Sequence, residues 1–144
     1  AGHSVGNHTY NHLNGWKTPN KDYFENVTQT ASAINGIRES FRDDRLSIGI
    51  NETNLFRPPF GKLTIPQSRY LQKMGYQIVL YDTLARDWDQ RLSGEQCSDN
   101  VINNSESGSI VLMHDSLKAF ENLKIALPEV LSYFTRKGYR FKAL

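Results

Sequence analysis

The stretch Ser109-Ile110-Val111-Leu112-Met113-His114-Asp115 decides the fold class, because a run of apolar residues ends at a titratable side chain. Three consecutive aliphatic residues, 110–112, predict that residues 109–113 form a strand of a parallel sheet that is buried on both faces. His114 then lies at the carboxyl end of this strand, where α/β enzymes place catalytic residues. A structural histidine with satisfied hydrogen bonds would occupy the same position, so position alone leaves both interpretations open.

Helices and short strands alternate through the rest of the chain. Helices are predicted at residues 20–41, 66–74, 93–104 and 117–137, and further strands at 55–57, 77–81 and 139–141. This alternation predicts a parallel α/β architecture. A closed (β/α) barrel usually needs roughly 200 residues or more. We therefore interpret the 144-residue chain as a single domain, a barrel whose first units are missing.

The composition excludes several classes of protein. The net charge is only +2 and no cluster of Lys and Arg exceeds two positions, which argues against a nucleic-acid-binding surface. A single cysteine, Cys97, excludes a disulfide framework and a zinc site built mainly from cysteines. No apolar run reaches the length of a membrane span. The chain opens at Ala1 without Met, so we expect further sequence upstream.

A cluster of histidines near the amino terminus is the first candidate site. Three of the four histidines lie within the first twelve residues, and His8 and His12 are four residues apart. On a helical turn both imidazoles would point to one side and could bind one metal ion. Two surface histidines on a short helix would give the same spacing.

Two loops that follow predicted strands carry further candidates. Arg57-Pro58-Pro59-Phe60-Gly61 is a rigid corner that could direct Arg57 and a backbone N–H into a cleft. Asp87-Trp88-Asp89 sets a carboxylate beside an indole, which could orient a base or line an apolar pocket. A solvated arginine and an exposed polar loop remain the alternatives.

Taken together and in order, these segments resemble the NodB-homology polysaccharide deacetylases, also called carbohydrate esterase family 4. Four motifs of that family have counterparts here: His8-Thr9-Tyr10-Asn11-His12, Arg57-Pro58-Pro59-Phe60-Gly61, Asp87-Trp88 and Leu112-Met113-His114. The resemblance spans essentially the whole chain. It implies a distorted (β/α) barrel and an enzyme that removes acetyl groups from N-acetylglucosamine polymers, such as peptidoglycan and chitin, or from xylan.

The resemblance also implies a role for each of these side chains. His8 and His12 would be the imidazole ligands of a divalent metal ion, usually zinc. His114 would be the general acid that protonates the leaving amine or alcohol, and Asp87 would orient it.

The remaining residues would shape the site around the acetyl group. Leu112 and Trp88 would form the pocket for the acetyl methyl, and the backbone N–H of Phe60 would help to stabilise the oxyanion. Arg57 would position the catalytic base.

Two departures from the family's pattern stand out. The opening T-F-D-D motif, which supplies the base and the third metal ligand, is absent, and Asp43-Asp44 falls downstream of the histidines. Leu84 stands where the family often has the first Asp of D-x-x-D-W. With two metal ligands and no base, the visible chain alone is expected to be inactive.

Three functional hypotheses follow. The leading one is a metal-dependent deacetylase seen in part, whose substrate is an acetylated polysaccharide of the cell wall or a chitin-like polymer. The second is a non-catalytic carbohydrate-binding relative, and the third is an unrelated α/β domain with chance motifs. The resemblance implies a location outside the cytoplasm or in the cell envelope, and the sequence gives no indication of oligomeric state.

Overall fold

The computed structural model describes residues 4–40 and 54–144. The Asp43-Asp44 pair and His3 lie outside these residues. The chain divides into two compact units, one formed by residues 1–80 with 143–144 and the other by residues 81–142.

The first unit contains a parallel strand pair joined by a helix. Its elements are α1 (Asn20–Ser40), β1 (Leu55–Phe56), a 3₁₀ turn (Pro59–Gly61), α2 (Ile65–Lys73) and β2 (Gln77–Ile78). In the parallel pairing of β1 with β2, Leu55 lies opposite Gln77 and Phe56 opposite Ile78. This β1-α2-β2 crossover agrees with the predicted α/β class.

Local sequence explains where α2 begins. The side chain of Thr64 accepts a hydrogen bond from the backbone N–H of Gln67, and the side chain of Gln67 accepts one from the N–H of Thr64. This capping box satisfies two amides that the first helical turn leaves without partners. Gly75 ends the helix region with a φ of 86°, which a glycine adopts without strain.

The core of the first unit is formed by α1, β1 and α2. Tyr23, Val27, Phe56 and Leu71 are buried together. Tyr23 packs edge-on against Phe56, with ring centroids 6.3 Å apart. This packing fixes the carboxyl end of β1, which is followed by the Arg57-Pro58-Pro59-Phe60-Gly61 corner.

The second unit repeats the same arrangement. Its elements are β3 (Thr83–Leu84), α3 (Gly94–Ile102), β4 (Val111–Leu112) and α4 (Phe120–Arg136). Strands β3 and β4 pair in parallel, with Leu84 opposite Leu112. Helices α3 and α4 pack closely, because a Cβ atom at Gly94 would lie only 2.5 Å from Cβ of Ile125.

Three sequence predictions about the second unit are wrong in detail. The strand predicted at 109–113 is only two residues long and is not buried on both faces, since Val111 is 38% exposed and Leu112 only 7%. Successive strand residues point to opposite faces, and only the face of Leu112 meets a packed interior. The helix predicted from residue 117 begins at Phe120, and Leu117 is almost fully exposed.

The third error is the final strand predicted at 139–141, which does not form. The N–H of Tyr139 donates to the carbonyl of Phe134, and the N–H of Gly138 donates to that of Thr135. These bonds close the carboxyl end of α4, and they use the amide that a strand at Tyr139 would need. Strand β3 was not predicted, because a two-residue strand leaves no alternation to detect.

Among the helices of residues 4–40 and 54–144, none combines the length and the apolar character needed to cross a membrane.

Candidate active site

The histidine segment of the first unit is a turn and not a helix. The prediction that a helical turn places His8 and His12 on one side is therefore wrong. Thr9 and His12 have positive φ angles of 58° and 53°, which few residues other than glycine adopt. The two imidazoles nevertheless lie side by side, with ring centroids of His8 and His12 5.0 Å apart and planes at 70°. Strained backbone of this kind is concentrated at functional sites.

Asn7 attaches this turn to the end of β1, and sequence analysis missed it. Its backbone N–H donates to the carbonyl of Leu55 at 2.7 Å, and its carbonyl accepts from the N–H of Arg57 at 2.9 Å. Its side chain, only 3% exposed, donates to the carbonyl of Val27 at 2.8 Å and accepts from the N–H of Thr9 at 3.1 Å. An asparagine outside any periodic segment carries no sequence signal for such a role.

The tautomer of His8 follows from its partner. Nδ1 of His8 lies 2.6 Å from the carbonyl oxygen of Arg57. A carbonyl can only accept, so Nδ1 carries the proton and Nε2 carries the lone pair that a metal ion needs. The backbone of Arg57 thus contacts a candidate ligand directly, a contact that sequence analysis did not anticipate.

The first unit provides some of the side chains that a divalent metal ion needs. Two adjacent imidazoles, one of them held in the tautomer that binds through Nε2, are typical of zinc and related ions. Among residues 4–40 and 54–144, no group of three or more His, Cys, Asp or Glu side chains is close enough to hold a metal ion. Within that part of the chain His8 and His12 are therefore two candidate ligands.

The corner after β1 brings Phe60 to the histidines. Pro58 and Pro59 are buried, and Phe60 has a positive φ of 59°. The ring of Phe60 is 58% exposed and packs edge-on against His12, with centroids 4.7 Å apart. The structure thus brings together four residues of the first unit that were predicted from sequence: His8, His12, Arg57 and Phe60.

In the second unit, a fully buried carboxylate binds the candidate general acid. Oδ1 of Asp87 accepts from Nδ1 of His114 at 2.8 Å, and Oδ2 accepts from the backbone N–H of His114 at 2.5 Å. The side chain of His114 is 34% exposed and that of Asp87 is completely buried. The imidazole is therefore fixed at Nδ1 and remains accessible to solvent.

The parallel strands of the second unit explain why these two residues meet. Asp87 follows β3 by three residues and His114 follows β4 by two. Parallel neighbours end at the same edge of a sheet, so both side chains emerge together. Asn122 of α4 supports the arrangement by donating to the backbone carbonyl of Asp87 at 3.1 Å. Asn122 was not predicted, because nothing in the sequence links it to Asp87.

Trp88 lies beside His114, with ring centroids 5.0 Å apart and planes at 69°. It also borders an open depression of about 360 Å³. Leu112, the other residue predicted for the acetyl pocket, is 93% inaccessible in β4 and offers little surface. Leu84, at the position of the family's first Asp in D-x-x-D-W, is part of β3.

The loop beyond Trp88 is held by an ion-pair network. Asp89 accepts hydrogen bonds from Arg91 at 2.8 Å and from Arg86 at 3.1 Å. The side-chain hydrogen bond from Arg91 lowers the pKa of Asp89 far below its usual value. Asp89 is therefore an anion throughout the physiological range, and it fixes the loop that carries Asp87 and Trp88.

Comparison with known proteins identifies the relatives of this chain. Residues 1–79 match the sequence profile of the family described as "Polysaccharide deacetylase". Two peptidoglycan-N-acetylglucosamine deacetylases of Bacillus cereus are similar. One is 31% identical over 97% of this chain and 61% of its own length, and the other is 26% identical over 99% and 48%. The chain thus spans about half to three fifths of these relatives.

A solved structure agrees with this relationship. The peptidoglycan N-acetylglucosamine deacetylase Bc1960, determined with a naphthyl-substituted N-hydroxybenzamide, superposes with a TM-score of 0.84 at 26% identity. The match covers 99% of this chain and 62% of the other. The fold described here is therefore an α/β fold of the NodB type.

Proposed function

The chain belongs to the polysaccharide deacetylase family, and we propose that it is a metal-dependent hydrolase that removes acetyl groups from a polysaccharide. The proposed substrate is an N-acetylglucosamine polymer, either peptidoglycan or a chitin-like chain. Two relatives named as peptidoglycan-N-acetylglucosamine deacetylases support peptidoglycan as the first choice. We further propose that residues 1–144 form a single catalytic domain, part of a distorted (β/α) barrel, as the two parallel β-α-β crossovers suggest.

The pairing of Asp87 with His114 is the observation that carries this proposal. When an acetamide is hydrolysed, the leaving nitrogen must receive a proton. A protonated imidazole at His114 would donate that proton from Nε2, because Nδ1 is held by Asp87. The buried carboxylate keeps the ring in one orientation and stabilises its protonated form. A histidine with only a structural role would not need a side chain that is 34% exposed.

In the first unit, His8 and His12 would hold the metal ion, which we propose to be zinc. A divalent ion held there supplies Lewis acidity toward the acetyl carbonyl and toward water. The backbone carbonyl of Arg57 keeps His8 in the tautomer that binds through Nε2. The chain itself therefore prepares one ligand before any ion is bound.

The remaining residues would recognise the acetyl group. The backbone N–H of Phe60, on the strained corner after β1, would donate to the developing oxyanion. Trp88 and Leu112 would pack against the acetyl methyl, with Trp88 the larger contributor because Leu112 is mostly buried. Arg57, whose side chain is half-buried, would position the base.

Acetate release tests the proposal. The protein at its full natural length, loaded with zinc, is expected to release acetate from a tetramer of N-acetylglucosamine. His114→Asn is expected to lower kcat by at least about a hundredfold while zinc stays bound. His8→Ala is expected to lose both zinc and activity.

The matched control is a variant that loses one negative charge next to His114 but keeps every residue of the proposed site. Asp115→Asn changes an exposed carboxylate next to His114, so its kcat should equal that of the wild type. No acetate from a zinc-loaded wild type on the tetramer or on acetylated xylan would overturn the proposal. Full activity of His114→Asn would overturn the assignment of the general acid.

A second candidate is a non-catalytic carbohydrate-binding relative. It is favoured by the two-ligand donor set among residues 4–40 and 54–144, since catalytic zinc sites normally have three protein ligands. This candidate predicts zinc-independent binding of the tetramer and no acetate release. The assay above therefore separates the two candidates.

A further inference from the structure

Trp16 is an exposed indole that the structure holds in one place. Its side chain is 65% exposed, although tryptophan is mostly buried in globular proteins. Its Nε1–H donates to the carbonyl of Leu63 at 3.3 Å. A large apolar surface that is left in water yet fixed in orientation is suited to contact with a ligand.

The turn that carries Trp16 is rigid. The side chain of Asn14 accepts from the N–H of Trp16 at 3.0 Å, and the carbonyl of Asn14 accepts from the hydroxyl of Thr18 at 2.8 Å. Gln67, which is completely buried, donates to the carbonyl of Gly15 at 2.9 Å. The indole is therefore held against the segment that contains Leu63 and Gln67.

This segment connects Trp16 to the histidine pair. The ammonium of Lys62 lies over the indole, 5.0 Å from its centroid. Lys62 is two residues after Phe60, which corresponds to at most about 7 Å of extended chain. The ring of Phe60 in turn packs against His12. The indole and the candidate metal ligands are thus fixed to the same short segment of the first unit.

We propose that Trp16 and Lys62 form a sugar-binding subsite for the pyranose that neighbours the acetylated sugar. One face of a pyranose presents C–H groups that pack favourably on the electron-rich face of an indole. Because the Lys62 ammonium lies over one face of the indole, the sugar stacks on the opposite face, and the ammonium donates to a hydroxyl or carboxylate that extends past the ring. The inference rests on the proposed function, and it adds a determinant of substrate length that none of the four sequence motifs contains.

Binding measurements on the zinc-loaded full-length protein test this subsite. Isothermal titration with the N-acetylglucosamine tetramer, and in parallel with an acetylated xylan tetramer, is compared between the wild type and variants. Trp16→Ala is expected to weaken binding of the preferred tetramer about three- to tenfold, and Trp16→Phe to recover part of the loss. Binding of monomeric N-acetylglucosamine and zinc should be unchanged. In steady-state kinetics KM for the tetramer should rise while kcat stays constant.

A control separates stacking from a general loss of apolar surface. Ile65→Ala removes an exposed side chain from the same segment, 69% exposed, and should bind both tetramers as the wild type does. Equal binding by Trp16→Ala and the wild type would overturn the subsite, as would binding of neither tetramer by the wild type. A failure of the proposed function would give a different result: the tetramer would bind in a Trp16-dependent way, but no acetate would be released.

Discussion

Asp87 binds His114 at two points, its ring Nδ1 at 2.8 Å and its backbone N–H at 2.5 Å. One carboxylate therefore fixes both the imidazole and the main chain at the end of β4. The second bond matters because it leaves neither carboxylate oxygen without a donor inside the protein. A buried carboxylate without donors would be strongly destabilising, so these two hydrogen bonds explain how the side chain of Asp87 can be completely buried.

Asp87→Asn is expected to reduce kcat for acetate release by roughly 10²- to 10⁴-fold. The amide keeps the shape of the side chain but loses the negative charge that stabilises protonated His114. It can also present its NH₂ group to Nδ1, which selects the wrong tautomer. Stopped assays of acetate release measure kcat, with Asp115→Asn as the charge-matched control. A kcat for Asp87→Asn within threefold of the wild type would contradict the role given to Asp87.

Asn7→Ala is expected to destabilise the first unit and to loosen the histidine turn. The change removes the donor to the carbonyl of Val27 and the acceptor for the N–H of Thr9. Each buried group left without a partner costs about 1–3 kcal/mol. Because Asn7 supports the turn that carries His8, zinc affinity should also fall by roughly ten- to a hundredfold.

Urea unfolding without zinc and a zinc titration measure these two effects of Asn7→Ala separately. Asn100→Ala is the control, because Asn100 donates to the carbonyl of Ala85 in the second unit. It should lower the free energy of unfolding and leave zinc affinity unchanged. Unchanged zinc affinity in Asn7→Ala would show that the turn does not depend on this side chain.

Features with local causes could be predicted from the sequence. The start of α1 at Asn20 agrees with the helix predicted at 20–41, and the end of α2 at Lys73 lies one residue before the end predicted at 74. The position of His114 at the end of a strand followed from the apolar run before it. In each case the signal lies within a few residues of the feature it determines.

Features with distant causes could not be predicted. The histidine turn depends on contacts of Asn7 with residues 20 and 48 positions away, Val27 and Leu55. The support of Asp87 by Asn122 joins positions 35 residues apart. Val111 is exposed because no other element of the described residues covers its face of the strand, and an apolar run does not indicate which faces are covered. A single sequence contains no periodicity that reports such long-range pairs.

The buried hydroxyl of Tyr23 makes the stability of the protein sensitive to alkaline pH. Burial raises the pKa of Tyr23 to about 12, whereas an unfolded tyrosine has a pKa of about 10. Below pH 10 the phenol is neutral in both states and full stability is present. Between pH 10 and 12 only the unfolded chain ionises, so the free energy of unfolding falls by up to about 2–3 kcal/mol.

Tyr23→Phe should remove this pH dependence and raise stability at neutral pH. Within the described part of the chain the Tyr23 hydroxyl has no hydrogen-bond partner, so its removal should stabilise the fold by about 1 kcal/mol. Urea unfolding at pH 8 and pH 11 measures both effects. Tyr70→Phe, at a ring that is 44% exposed, is the control. A Tyr23→Phe variant less stable than the wild type at pH 8 would mean that the hydroxyl has a partner.

The same substitution at two glycines should have opposite effects on stability. At Gly15 a Cβ atom would lie 2.5 Å from the carbonyl oxygen of Lys62 and 2.6 Å from Oε1 of Gln67. To relieve this overlap, either the turn of Trp16 or the backbone of Lys62 must move, so Gly15→Ala should lower the free energy of unfolding by about 1–3 kcal/mol. Gly36 lies within α1, and a Cβ atom there would meet nothing within 4 Å.

Gly36→Ala should therefore raise the free energy of unfolding by about 0.5–1 kcal/mol, because alanine loses less backbone freedom in a helix. Urea unfolding of the two variants and the wild type measures both changes. Tetramer binding adds a second readout, since a displaced Trp16 should weaken it in Gly15→Ala and leave it intact in Gly36→Ala. Normal stability and binding in Gly15→Ala would contradict the close contact between this turn and the segment after Phe60.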